Sequence, residues 1–327
     1  MRRREFITLL GGAAAAWPPV ARAQQPGKRP LIVCLIGGSK ASTERFFGGF
    51  SQGMRELGYV EGRDYGFEVR YADGGVNRIP VLTEEVLRIK PDVLVTGTMA
   101  GVLAAKKLTD STPIVSEVLT DPVGFGVAAS YARPGGNVTG VLLTVEDLPT
   151  KLLALAVETV PSANKIGLLV NPTNPIQPLF RRSLEVPTRA LGVELVASEA
   201  TSREHLQAAL KHLARENAKI VLALQDPMFL NERKQIALFA IAERLPTMFG
   251  FRENVEDGGL MSYGTDLRES WRRTATFVDK ILRGAKPADL PIEFPTKLQL
   301  IINLTAAKAL GLEIPPTVLA RADEVIE

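Results

Sequence analysis

From residue 31 onward, short continuous apolar runs alternate with segments whose apolar residues recur at helical spacing, and few architectures accept that alternation. Leu31–Ile36 is uninterrupted and ends in Gly37-Gly38, as a strand buried on both faces does. Phe46, Phe50, Met54 and Leu57 then recur every three or four residues, and Gly58 supplies a stop. Phe67–Tyr71, Val93–Thr96 and Ile114–Leu119 read as further strands. Helices over Ile79–Ile89 and Gly101–Leu108 separate them. Such a βαβαβαβ run predicts an α/β fold with a doubly wound parallel sheet.

Between Asp121 and Gly140 the rhythm breaks at Pro122, Pro134, Gly135, Gly136 and Asn137. Loops and a short helix are expected there, leading into a strand over Val138–Leu143. The alternation restarts with a helix carrying Leu152, Leu153, Ala156 and Val160. Strands follow over Ile166–Val170, Val193–Ala197, Ile220–Leu224, Thr247–Phe249 and Leu260–Tyr263, with helices near 176–191, 203–216 and 231–244. A helix from Asp266 to Leu282 carries Trp271, Ala275, Val278 and Ile281 on one face. The chain therefore divides into two successive α/β units and a C-terminal section. No short repeat is visible, so the halves are alike in architecture only.

The first 23 residues stand apart. Arg2, Arg3 and Arg4 precede a weakly apolar stretch from Phe6 to Val20, closed by Ala21-Arg22-Ala23. Basic start, short apolar centre and A-x-A ending predict a signal peptide over residues 1–23. Arg3-Arg4-Glu5-Phe6-Ile7 looks like a twin-arginine export signal. The expected mature chain begins near Gln24, soluble in the periplasm. These residues also explain the overall charge, 39 basic against 36 acidic side chains. Four arginines against Glu5 account for the whole net charge of +3, leaving the remainder neutral. The apparent basicity gives no reason to expect nucleic acid.

Catalytic signatures are scarce. There is neither a G-x-S-x-G elbow nor a phosphate loop, although Gly37-Gly38-Ser39-Lys40 superficially resembles the latter. Gly124–Ala129 spells a degenerate G-x-G-x-x-A, but it does not open the first βα unit, so dinucleotide binding is not expected. His205 and His212 lie two turns apart on a polar helix, too far to share a metal. Cys34, the single cysteine, sits within the first strand as a small apolar residue. No cofactor and no metal are expected.

Ligands of open α/β sheets bind beyond the carboxyl ends of the strands. Those ends carry Ser39 and Ser42, Thr98 and Met99, Asp121, Asn171, Asp226 and Phe251. Hydroxyls and helix N-terminal N–H groups suit a carboxylate, and Asp121 or Asp226 suits an ammonium. The same residue types also cap helices without binding anything.

Several stretches resemble the tryptophan/tyrosine-type subfamily of ABC transporter substrate-binding proteins. They are Pro113-Ile114-Val115, Asp121-Pro122-Val123-Gly124, Ala132-Arg133-Pro134-Gly135-Gly136-Asn137-Val138-Thr139-Gly140-Val141, Lys165–Pro172 and Asn303–Pro316. The resemblance covers essentially the whole chain. It implies a type I periplasmic binding fold: two doubly wound parallel-sheet lobes joined by a multi-strand hinge. Lobe 1 would comprise 30–142 plus about 265–290, and lobe 2 143–264 plus about 291–327. It further implies capture of a small solute, an amino acid or related carboxylate, and delivery to a membrane permease by a non-enzymatic, monomeric protein. Carried over by position, the contacts are Ser39, Ser42, Thr98, Met99 and Asp121 from the first lobe. From the second they are Asn171, Asp226, Met228 and Phe251. Lys40 departs from the commoner small-polar loop. A periplasmic α/β enzyme and a ligand-handing sensor remain the alternatives.

Overall fold

The structure, a computed structural model, describes residues 29–143, 148–295 and 297–327. The expected signal peptide over residues 1–23 lies outside the described residues. The first sheet is built from β1 (Leu31–Ile36), β2 (Gly66–Tyr71), β3 (Val93–Thr96), β4 (Ile114–Leu119) and β5 (Val138–Leu142). Its order is β2-β1-β3-β4-β5, and every pairing is parallel. Helices α1 (Lys40–Glu56), α2 (Ile79–Arg88) and α3 (Met99–Leu108) connect its first four strands. β3 and β4 are buried throughout, as continuous apolar runs require, while edge strand β2 is half-buried.

Helix α4 (Leu148–Thr159) leads to β6 (Lys165–Val170), α5 (Gln177–Leu191), β7 (Glu194–Glu199), α6 (Arg203–Arg215) and β8 (Ile220–Ala223). Next come α7 (Pro227–Asn231), α8 (Arg233–Ala242), β9 (Thr247–Phe249), α9 (Arg252–Glu256) and β10 (Met261–Thr265). The chain then forms α10 (Leu267–Leu282), β11 (Leu298–Asn303), α11 (Leu304–Leu310), α12 (Pro316–Leu319) and β12 (Glu324–Ile326). The second sheet runs β12-β11-β10-β9-β8-β6-β7, with β11 antiparallel to β10 and the other pairings parallel.

Each strand expected from an apolar run is present, its ends moved by at most two residues. Two features differ from expectation. Residues 121–137 form turns with no helix, the backbone reversing at Asp121, Gly126 and Gly135, all at positive φ. The C-terminal section adds two strands to the second sheet. β11 mixes Gln299 into its apolar residues and β12 has three residues, so neither stands out as a run.

Helix α10 belongs to the first sheet although the second sheet's core strands precede it. Asp266 caps it by accepting from the Glu269 N–H at 3.0 Å. Its apolar face buries Trp271, Ala275 and Val278. Against α1, Trp271 meets Phe47 edge-on at 4.8 Å and Phe50 at 6.4 Å, the arrangement aromatic quadrupoles favour. The chain thus passes from the first sheet to the second after β5, returns after β10 and passes again before β11. The result is the two-lobed α/β architecture that the sequence resemblance implies.

Candidate functional site

The carboxyl ends of the two sheets face each other across a cavity with an empty volume of about 690 Å³, its mouth included. The first lobe contributes the residues after β1 and β3, part of β4, and Phe46 of α1. The second contributes Asn174, Ile176, Gln225, Asp226, Pro227, Leu230 and Phe251. Leu267 and Trp271 of α10 complete the wall. The lobes touch beside it: the Ser39 N–H donates to Asn231 Oδ1 at 3.2 Å, and Arg233 Nη1 donates to the Ser42 carbonyl at 3.3 Å.

Four of the residues singled out in the sequence, Thr98, Met99, Asp226 and Phe251, line this cavity. Thr98 caps α3, its hydroxyl accepting from the Gly101 N–H at 2.9 Å. Ser39 and Ser42 lie in a separate polar groove at the rim. They cap α1 reciprocally: the Ser42 N–H donates to Ser39 Oγ at 3.2 Å and the Ser39 N–H to Ser42 Oγ at 3.0 Å. Asn171 and Met228 are buried around Asp226.

Asp226, expected to pair with a solute ammonium, lines the cavity with both oxygens already engaged. Oδ1 accepts from the Met228 and Phe229 N–H groups at 2.8 and 3.0 Å, and Oδ2 from Asn171 Nδ2 and Asn174 Nδ2 at 3.0 and 2.8 Å. Four donors of its own lobe occupy both oxygens. Burial pushes this carboxyl above its ordinary range, and the four donors pull against that shift. Its part is to order the loops after β6 and β8. Asp121, the other residue expected to suit an ammonium, lies elsewhere. It sits in a turn with φ of 43°, its Oδ1 accepting from the Gly124 N–H at 2.9 Å, and is not among the cavity residues.

Residues outside the expected contact set supply the free polar atoms. Glu117 is 3% exposed, and its Oε2 has no hydrogen-bond partner among the described residues. Trp271 Nε1 and Gln225 Nε2 are also buried and unpartnered. Buried polar atoms ordinarily have a protein or water partner, so these three, on residues that line one cavity, are open to a bound molecule or to water. Burial, helped by the charge of Glu253, raises the Glu117 carboxyl well above the usual carboxylate range. A register shift between Ser116 and Leu119 in the β4–β5 pairing turns Glu117 and Val118 toward the cavity together, where strict alternation would send them to opposite faces. Opposite Ser116 stands Gly140, where a side-chain carbon would come within 1.9 Å of the Ser116 carbonyl oxygen. A signal was present: an acidic residue inside a strand otherwise fit for full burial calls for a partner.

Outside the cavity, Cys34 is buried in β1, and His205 and His212 are exposed on α6. Among the described residues no cluster of His, Cys, Asp and Glu is placed to hold a metal, and no helix is long and apolar enough to cross a membrane.

Residues 34–326 match the family of ABC transporter substrate binding proteins, and the chain belongs to that family. A tyrosine-binding protein of Clostridioides difficile (strain R20291) is 22% identical over 267 residues, covering 81% of this chain and 76% of that one. A crystal structure described as a conserved domain protein from Vibrio cholerae superposes with a TM-score of 0.85 at 27% identity, covering 91% of this chain and all of that one. An ABC domain from Streptococcus pneumoniae in complex with L-Trp gives 0.83 at 21% identity, with the same coverage of both.

Proposed function

We propose that this chain is the exported solute-binding component of an ABC importer, non-catalytic and monomeric. It takes a small solute of amino-acid size into the inter-lobe cavity and hands it to a membrane permease. The supporting observation is the set of unpartnered buried atoms, Glu117 Oε2, Trp271 Nε1 and Gln225 Nε2, at a cavity walled by both lobes. Contacts to a second lobe exist only when the lobes close, so such a ligand favours the closed state by the free energy of those contacts. The export-signal pattern read in residues 1–23 supports a periplasmic place of action. The relatives that bind tyrosine and L-Trp support amino acids as the first solutes to test.

The test is a thermal-shift screen of the mature chain against amino acids, amines and organic acids, followed by small-angle scattering with each hit. A bound solute at about 100 times its Kd adds about 2.7 kcal/mol of stability. A hit that also makes the chain more compact supports the reading. Absence of any stabilising solute, or turnover of one, would overturn it.

A further inference from the structure

We infer that the solute is an apolar carboxylic acid without a charged amine, and that Glu117 receives its carboxylate as an O–H donor, so that only the Glu117-protonated protein captures it. This rests on the binding reading above and specifies its substrate class and its proton linkage.

The open atoms define the complement. Trp271 Nε1 and Gln225 Nε2 are donors, one from each lobe, so the group that seats against them is an acceptor. Helix α3 starts at the same cavity. Thr98 Oγ1 takes the Gly101 N–H, and the N–H groups of Met99 and Ala100, which also line the cavity, have no partner within the helix. A helix N-terminus among buried donors favours carboxylate oxygens. Asp226 shows the same solution in the opposite wall, its two oxygens held by two side-chain amides and two helix N–H groups. Apolar side chains, among them Ile36, Phe46, Ile176 and Leu230, are left to cover the body of the solute.

Glu117 decides the charge of that solute. It flanks the loop after β3 together with the indole: a methyl group on Gly97 would lie 3.3 Å from Glu117 Oε1 and 3.0 Å from the Trp271 ring. As an acid, Glu117 adds an O–H to the donors there; as a carboxylate it would repel a second one. Burial and the charge of Glu253 favour the acid. The groups packed around β4 do not reverse this. Its sheet neighbours β3 and β5 carry no titratable residue. Helix α3 carries Lys106 and Lys107 in its last turn, and α10 carries Arg268, Glu269, Arg272, Arg273, Asp279 and Lys280, none of which lines the cavity. Asp121, after β4, is held in its own turn. Across the cleft stand Asp226, with both oxygens engaged, and Glu253, 4% exposed with its Oε2 unpartnered. Arg233, which acts on Glu253, is paired with Asp257 at 2.6 Å. An ammonium would bring three more donors to these two, and would need Glu117 ionised against its burial.

The test compares matched probes by calorimetry on the mature chain: the acids indole-3-propionate and hydrocinnamate, their amides, the amines tryptamine and phenethylamine, and tryptophan and phenylalanine. Each acid should bind at least about tenfold more tightly than the other probes with its ring. Both acids are ionised from about pH 6 to pH 9, so a change of affinity over that range reports the protein. The wild-type chain should lose at least about tenfold in acid affinity across it. Glu117→Gln, which keeps a donor and cannot ionise, should bind the acids with no pH dependence, and more tightly than wild type at pH 9. Glu117→Leu, which keeps no donor, should bind them about tenfold more weakly than Glu117→Gln. Melting temperatures of the solute-free variants exclude misfolding, and the wild-type measurements stand without either variant. An amine, amide or amino acid that binds as tightly as its acid overturns the inference, as does acid affinity that is flat with pH. A pH dependence that survives in Glu117→Gln assigns the proton to another group and overturns it too. If neither acid binds while another probe does, the inference falls and the binding reading stands. If no solute of any class binds, the binding reading falls with it.

Discussion

Asn171, at the end of β6, donates its side-chain amide to Asp226, at the end of β8, across 3.0 Å. With Asn174 beside it at 2.8 Å, the pair ties two strand-to-helix loops of the second lobe into one wall before any solute arrives. Asp226→Ala strands two buried side-chain amides and two helix N–H groups. It should cost on the order of 3 kcal/mol, and Asn171→Ala about 1–2 kcal/mol. Thermal unfolding checks both. An Asp226→Ala variant as stable as wild type would refute the ordering role.

Gly37 reports on closure. A methyl group there would lie 2.8 Å from Pro227 Cβ in the opposite lobe and 2.5 Å from Thr98 Cγ2. Gly37→Val should therefore hold the lobes apart while each still folds. Small-angle scattering should show a larger radius of gyration that solute no longer reduces, alongside near-normal secondary structure by circular dichroism.

Arg233 and Asp257 form an ion pair with both side chains 7% exposed. Arg233→Ala leaves Asp257 buried, with Arg45 and Lys234 each 3.8 Å from its Oδ1. With those two cations still in reach, the expected loss is below the about 3–5 kcal/mol of a fully orphaned buried charge. Because Arg233 also reaches the Ser42 carbonyl of the other lobe, the variant should release solute faster than wild type. Stopped-flow dissociation against equilibrium unfolding separates the two effects.

Stability should fall as pH rises through neutrality. Burial raises the Glu253 carboxyl from 4.5 to about 7; Glu256 and Asp266 push the same way, and Arg233 opposes them. A raised carboxyl favours the folded state fully below about pH 4.5, and that contribution is lost by the time pH has risen through about 7. The loss is on the order of 3 kcal/mol. Glu253→Gln should flatten the decline, so that melting temperatures at pH 5 and pH 8 differ less than in wild type. An equal slope in both proteins would rule this assignment out.

The fold was largely legible because buried parallel strands leave continuous apolar runs, as in Leu31–Ile36 and Ile220–Ala223. β12 was not, because three residues carry no period, nor was the antiparallel β11, whose partner is chosen by packing. For the site, strand ends pointed to the loops that converge, and Thr98, Met99 and Phe251 stand at the cavity. Which polar group is left free depends on partners from elsewhere in the chain. Asp226 is silenced by Asn171 and Asn174. Glu117 is exposed to the cavity by a slipped register between β4 and β5 that no local spacing announces.

The placement of Trp271 fixes the order of events in synthesis. Phe47 and Phe50 on α1 wait for a ring carried by α10, which emerges only after strands β6 to β10 have been made. The amino-terminal lobe therefore cannot finish its core until α10 is made, and the second lobe waits longer still, for β11 and β12. A nascent chain stalled before Leu267 should remain sensitive to protease in residues 31–142, however long it is held. In this protein neither half can mature until most of the other has been translated.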